Sequence, residues 1–152
     1  MLAATVATAT VAADQLSKYF VRRSAADLPL DLLPHVSLEL SHNSGMSFGR
    51  LTGAGWLLVG VVVAVIVVLI YALVRCSPRY AVALALIIGG AVGNLVDRIR
   101  FGSVVDFVSI GAWPTFNVAD AAIAVGAVTI VVRLLFSERG QDPDACLSGR
   151  AD

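Results

Sequence analysis

Two aspartates, Asp106 in Val104-Val105-Asp106-Phe107 and Asp120 in Phe116-Asn117-Val118-Ala119-Asp120, lie fourteen residues apart among apolar neighbours. A carboxylate at the centre of a spanning helix costs about 2.5–3.5 kcal/mol on insertion scales, so such residues need a reason to be there. Two carboxylates brought close cannot both ionise: one keeps a proton and serves as an acid, while the other serves as a base. That pair suffices to activate water against a peptide bond, and no metal is required. No His/Cys ligand set with metal spacing accompanies them.

The elements that must position these groups are apolar helices. Of the 152 residues, 58% are hydrophobic and 14% charged, with a mean hydropathy of +0.85. This composition belongs to a membrane protein and not to a soluble domain. The formal net charge is zero, which gives no basic patch for nucleic acid and no acidic tract. Cys76 and Cys146 sit in unrelated segments, so free thiols are expected rather than a disulfide or a zinc framework.

Four spans are expected, at about residues 2–21, 54–74, 80–97 and 119–136. Residues 1–136 then form a single membrane-embedded domain, and 137–152 a disordered cytoplasmic tail. The first segment ends its apolar run in Val11-Ala12-Ala13, which resembles a signal-peptide cleavage site. No lysine or arginine precedes that run, so a retained span is expected. Between spans one and two, Val36-Ser37-Leu38-Glu39-Leu40-Ser41 alternates as a half-buried strand does. A strand cannot lie unpaired in lipid, so a small sheet at the interface is expected there. Residues 104–110 are expected to lie along the membrane surface.

Counting positive residues does not decide the orientation. An even number of spans nonetheless puts both termini on one side, with loops one and three together on the other. The polar clusters gather toward that loop side. Asp14 and Lys18 are four apart, acid first, the favourable order for a helical ion pair. Asn94 and Asp97 share a helix face with Gly90, and Gly89-Gly90-Ala91-Val92-Gly93 lets a neighbouring helix approach closely. Asn117 reads as an N-cap with Asp120 in the first helical turn, a bland role for an acid at that position. Gly45-Met46-Ser47-Phe48-Gly49 matches G-x-S-x-G, and His35 and His42 stand upstream. That motif has meaning only above an α/β-hydrolase sheet, which this chain lacks the residues to build.

Taken in order, five segments resemble the lipoprotein signal peptidase (signal peptidase II) family. They are Asp14-Gln15-Leu16-Ser17-Lys18, residues 43–49, residues 89–98, Val104-Val105-Asp106-Phe107 and Phe116-Asn117-Val118-Ala119-Asp120. The resemblance runs from Asp14 to about Val125. Ser47 departs from it, standing where the family usually has alanine. The resemblance implies an all-α membrane protein of four transmembrane helices, with a small extracytoplasmic sheet, or cradle, between helices 1 and 2. It also implies a short surface helix between helices 3 and 4.

By the same resemblance Asp106 and Asp120 are the catalytic dyad of an intramembrane aspartyl endopeptidase. It removes the signal peptide from diacylglyceryl-modified prolipoproteins, cutting just before the lipidated cysteine. Asp14, Lys18, Asn43, Gly45, Asn94, Asp97, Arg98, Asn117 and Ala119 match the family's supporting positions. The expected partners are prolipoprotein substrates, membrane lipids and globomycin-type inhibitors, with no cofactor, no nucleic acid and a monomeric state. The expected location is the bacterial cytoplasmic membrane, both termini cytoplasmic and the site near the outer leaflet. Two rival classes explain less. A proton-coupled transporter carries its charges near mid-bilayer, often in repeated halves, and a packing protein has no use for the two further aspartates.

Overall fold

The computed structural model describes residues 1–43 and 53–137. Four helices dominate: α1 (Leu2–Arg23), α2 (Gly53–Arg75), α3 (Ala81–Phe101) and α4 (Val118–Ser137). Among the described residues three stretches are long and apolar enough to cross a membrane: Gly55–Arg75, Pro78–Phe101 and Val118–Phe136. Helix α1 has 22 residues, about 33 Å at 1.5 Å per residue, and so has the length to cross. Its threonines, Asp14, Gln15 and Lys18 make it less apolar than the other three.

The bundle is arranged with apolar residues outside and polar ones inside. Leu57, Val61, Val68 and Tyr71 of α2 and Val128, Val131 and Leu135 of α4 are exposed, while Asp14, Lys18, Asp97 and Asp106 are buried. Water would punish this arrangement, and a hydrocarbon surround rewards it. Helix α3 is the central element, packing against α1, α2 and α4. Glycines make that contact possible. A Cβ on Gly90 would strike the backbone carbonyl of Ala119 in α4, and one on Gly89 would lie 2.8 Å from the Ala7 carbonyl oxygen in α1. Small residues at these points let the helix backbones meet, as membrane bundles require.

Four strands form one antiparallel sheet in the order β1-β2-β3-β4. They are β1 (Leu30–Leu33), β2 (Val36–Asn43), β3 (Val104–Ile110) and β4 (Trp113–Phe116). The hairpins turn through His35 (φ 68°) and Gly111 (φ 55°), left-handed positions typical of tight two-residue loops. The sheet therefore draws on both loops. The small sheet expected beside the helices is present and larger than expected, because the segment between α3 and α4 is a β-hairpin that joins it and not a surface helix. The physical reason is a strand-forming composition that meets a distant partner. Val104, Val105, Phe107, Val108 and Ile110 favour extended backbone, and β2 offers an unpaired edge that needs a partner at the interface.

Helix α3 ends at Gly102, whose left-handed conformation (φ 73°) and N–H bond to the Arg98 carbonyl (3.0 Å) close the helix. The chain enters β3 two residues later. There Val104, Val105, Asp106 and Phe107 are all buried, so this stretch is covered on both faces and not laid out on a surface.

Cys76 is disulfide-bonded, and none of the described cysteines is free, contrary to the free thiols expected. Sequence spacing carries no information here, because a disulfide asks only that two Cα atoms come within about 7 Å in the fold. The other cysteine, Cys146, lies outside the described residues, as do the tail beyond 137, Gly45 and the G-x-S-x-G run.

Candidate active site

The polar residues converge where the C-terminal ends of α1 and α3 meet the start of β3 and the N-terminus of α4. At the centre is Lys18, with a fully buried side chain. Its ammonium lies 2.9 Å from Asp14 Oδ2, 2.9 Å from Asp97 Oδ2 and 3.0 Å from Asn94 Oδ1. Three donors thus meet three acceptors, the complete inventory of an ammonium group. Leaving such a charge unmatched in a low-dielectric interior would cost several kcal/mol.

The two carboxylates around Lys18 reach onward to backbone. Asp14 Oδ1 accepts the Ala119 N–H (3.0 Å), so an acid of α1 caps the first turn of α4 and complements its dipole. Asp97 Oδ2 accepts the Val105 N–H (3.2 Å), which fixes the backbone one residue before Asp106. Gly93 sits against this cluster, and a Cβ there would lie 2.6 Å from Asp14 Oδ2.

Asn94 and Asn117 then orient the two remaining aspartates. The Asn94 amide donates to Asp120 Oδ1 (2.8 Å), and the Asn117 amide donates to Asp106 Oδ1 (2.7 Å). Asn117 also faces Asn94 Oδ1 at 3.1 Å and the Val105 carbonyl at 3.2 Å, so its two hydrogens have three acceptors in reach. At the head of α4 the Asn117 side chain accepts the Asp120 N–H (2.9 Å), and Asp120 Oδ2 accepts the Asn117 N–H (3.2 Å). This is a capping box closed by aspartate. Both aspartates are therefore held through side chains whose own positions are fixed.

Asp106 is almost fully buried (1% exposed), while Asp120 is half-buried. Burial pushes the Asp106 carboxyl above its ordinary range, and the nearby Asp120 charge adds to that. Hydrogen bonds from Asn43 and Asn117 and the Lys18 charge oppose it. Asn43 stands at the end of β2, paired in register with Val104. The Arg98 guanidinium lies in the field of Asp120, Asp106 and Asp97, and its Nη1 donates to the Asn94 carbonyl at 3.3 Å.

Of the residues singled out in the sequence, the fold gathers Asp14, Lys18, Asn43, Asn94, Asp97, Arg98, Asp106, Asn117, Ala119 and Asp120 into one neighbourhood. Gly45 lies outside the described residues. One member was not singled out. The Gln15 amide nitrogen is 3.1 Å from Asp14 Oδ2, from Asp97 Oδ1 and from the Gly93 carbonyl oxygen. The available signal was an uncharged amide in an otherwise apolar helix, next to a buried acid.

A helical bundle with apolar outer faces, holding a buried polar network at one end, has the architecture of a membrane-embedded protein with a polar site. Residues 6–136 match the family model described as Signal peptidase (SPase) II. The chain is 41% identical over 142 residues to the "Lipoprotein signal peptidase" of Moorella thermoacetica, covering 88% of this chain and 93% of that one. It is 48% identical over 122 residues to the protein of the same name from Rhodococcus jostii, covering 75% of this chain and 60% of that longer relative. A solved bacterial membrane enzyme, determined by the in meso method at 2.3 Å resolution, superposes with a TM-score of 0.81 at 25% identity, covering 93% of this chain and 92% of its own. The chain belongs to the signal peptidase II family. Membership implies a protease, and with the apolar helices it fits a multi-pass protein of the bacterial inner membrane.

Proposed function

We propose that the protein is a lipoprotein signal peptidase that cleaves diacylglyceryl-modified prolipoproteins just before the lipidated cysteine, by aspartyl chemistry at Asp106 and Asp120. The observation that carries this reading is the hydrogen-bonded chain Asp106–Asn117–Asn94–Asp120. It orients two acids from different elements, one buried and one half-buried.

The chemistry follows from the difference in their surroundings. Burial and a neighbouring charge favour the protonated form of Asp106, against the hydrogen bonds from Asn43 and Asn117, and in the proposed cycle Asp106 is the acid and Asp120 the base. The pair nonetheless titrates as a unit. Asp120 takes a proton from water as the oxygen adds to the scissile carbonyl, while the Asp106 proton passes to the carbonyl oxygen. The resulting gem-diol collapses as a proton moves to the leaving nitrogen, and the C–N bond breaks. The products are a carboxylate on the signal peptide and a free amine on the lipidated cysteine.

The helices give this site its access. A diacylglyceryl group stays in the bilayer, so the substrate enters sideways along the apolar faces, and the sheet forms the cradle above it. With four spans, counting α1, both termini lie on one side; taking that side as cytoplasmic, as the family resemblance implies, puts the dyad near the outer leaflet. Residues 1–136 are then one membrane-embedded unit, working as a monomer and open to globomycin-type inhibitors at the same site. The test uses the purified protein in lipid vesicles with a prolipoprotein in its diacylglyceryl-modified and unmodified forms. Mass spectrometry is expected to show one cut, before the modified cysteine, and at most about one hundredth of that rate without the lipid. Equal cleavage of both forms would overturn the substrate assignment.

A further inference from the structure

On the face where the ends of α1 and α3 meet, a groove of about 600 Å³ is lined by Leu16, Tyr19, Arg22, Arg23, Arg100 and Phe101, among others. Among the described residues that line it, three are arginines and none carries a carboxylate. Arg22 and Arg100 both lie over the Phe101 ring, at 4.4 and 5.7 Å from its centroid, and Arg23 lies 5.0 Å from the Tyr19 ring centroid. Among the described residues none of the three arginines joins an ion pair with a carboxylate; both close pairs belong to Lys18. Arg22 Nη1 is buried and has no hydrogen-bond partner. Stacking on aromatic rings holds guanidinium planes in place and leaves their N–H edges free to meet a planar or tetrahedral anion.

The apolar wall is as informative as the charges. Leu16, Tyr19 and Phe101 are exposed and continue the outer surface of the bundle, where hydrocarbon runs. The arginines cap that wall at the level where α3 gives way to the sheet. An anionic head above an apolar tail fits both halves, whereas a free anion uses only the upper one. Basic pockets between membrane helices bind lipid headgroups in this way. We propose that this groove binds an anionic phospholipid, its phosphodiester held by Arg22, Arg23 and Arg100 and an acyl chain laid along Leu16. The proposal rests on the bundle lying in a membrane, not on its peptidase chemistry. A diacylglyceryl thioether carries no phosphate, so the occupant is distinct from the substrate's lipid. Gln15 also lines the groove and bonds to Asp97, which places the bound lipid one amide away from the network behind β3.

Native mass spectrometry of the purified full-length protein in neutral detergent tests this directly. Dioleoyl phosphatidylglycerol is expected to bind at least about tenfold more tightly than dioleoyl phosphatidylcholine. The Arg22→Gln/Arg100→Gln double variant loses that preference, Arg22→Lys keeps part of it, and Arg75→Gln at the end of α2 leaves it unchanged. Equal binding of the two lipids by the wild-type protein would overturn the proposal whether or not any variant folds, and so would wild-type affinity in the double variant. Displacement of phosphatidylglycerol by inorganic phosphate at matched concentration would reassign the groove to free anions and also overturn it. Proteolysis plays no part in the readout, so failure here leaves the peptidase reading standing.

Discussion

Asp106→Asn and Asp120→Asn are each expected to lower cleavage of a lipidated prolipoprotein by about 10³-fold or more, with substrate binding largely kept. Each substitution removes one half of an acid–base pair while preserving its shape. Groups that act as a unit lose most of their effect when either is removed, and positioned proton transfer alone contributes about 10²–10⁴-fold. Shape is kept, and an asparagine at 106 still offers its carbonyl oxygen to Asn117. At 120 it can keep the Asn94 bond but gives up the bond from the Asn117 N–H, a loss of about 1 kcal/mol. The double variant is expected to be no worse than about the weaker single one. Ser47→Ala, in the G-x-S-x-G run, should leave the rate within about twofold. Full activity in either asparagine variant, joined to loss in Ser47→Ala, would transfer the chemistry to serine.

Lys18→Met is expected to cost about 3–5 kcal/mol of stability, the range for breaking a buried ion pair from one side. Lys18, Asp14 and Asp97 all have fully buried side chains, so methionine strands two carboxylates without a counter-charge. Those carboxylates hold the Ala119 and Val105 N–H groups. The loss therefore reaches the first turn of α4 and the strand carrying Asp106, and activity falls with stability. Adding Asp97→Asn removes one stranded charge while keeping an acceptor for Val105, and is expected to restore about half the loss. Unfolding in detergent, read across the four members of that cycle, measures the coupling. A Lys18→Met protein within about 1 kcal/mol of wild type would show that the triad is not a structural keystone.

Much of this network was legible as short-range pattern. The four-residue step from Asp14 to Lys18 announces an ion pair, and it forms at 2.9 Å. Asn117, three residues before Asp120, announces an N-cap, and the reciprocal bonds are there. Gly89, Gly90 and Gly93 announce close helix packing, which the clashes awaiting a Cβ at each position explain. The alternation of Val36 to Ser41 announces β2. What stayed hidden depends on partners far along the chain. Residues 104–110 form a strand because β2, more than sixty residues earlier, offers them an edge. Taken alone, their composition suited a surface segment equally well. Lys18 meets Asp97 across the α1–α3 interface, a contact no single-helix spacing contains. The role of Gln15, which reaches Gly93 and Asp97 in α3, is of the same kind.

The central claim is that Asp106 and Asp120 act together by sharing one proton, and the pH dependence of kcat/KM on a lipidated prolipopeptide tests it most directly. At low pH both groups are protonated and no base remains, and at high pH the shared proton is gone and no acid remains. A bell is therefore expected. Because burial, with the Asp120 charge adding to it, raises the Asp106 carboxyl, the alkaline limb should lie above the ordinary carboxylate range, whose reference is 3.8. The Asn43 hydrogen bond pulls the same group down, so Asn43→Ala should move that limb to still higher pH. A rate that only rises with pH to a plateau, with a limb unmoved by Asn43→Ala, would contradict the shared-proton dyad.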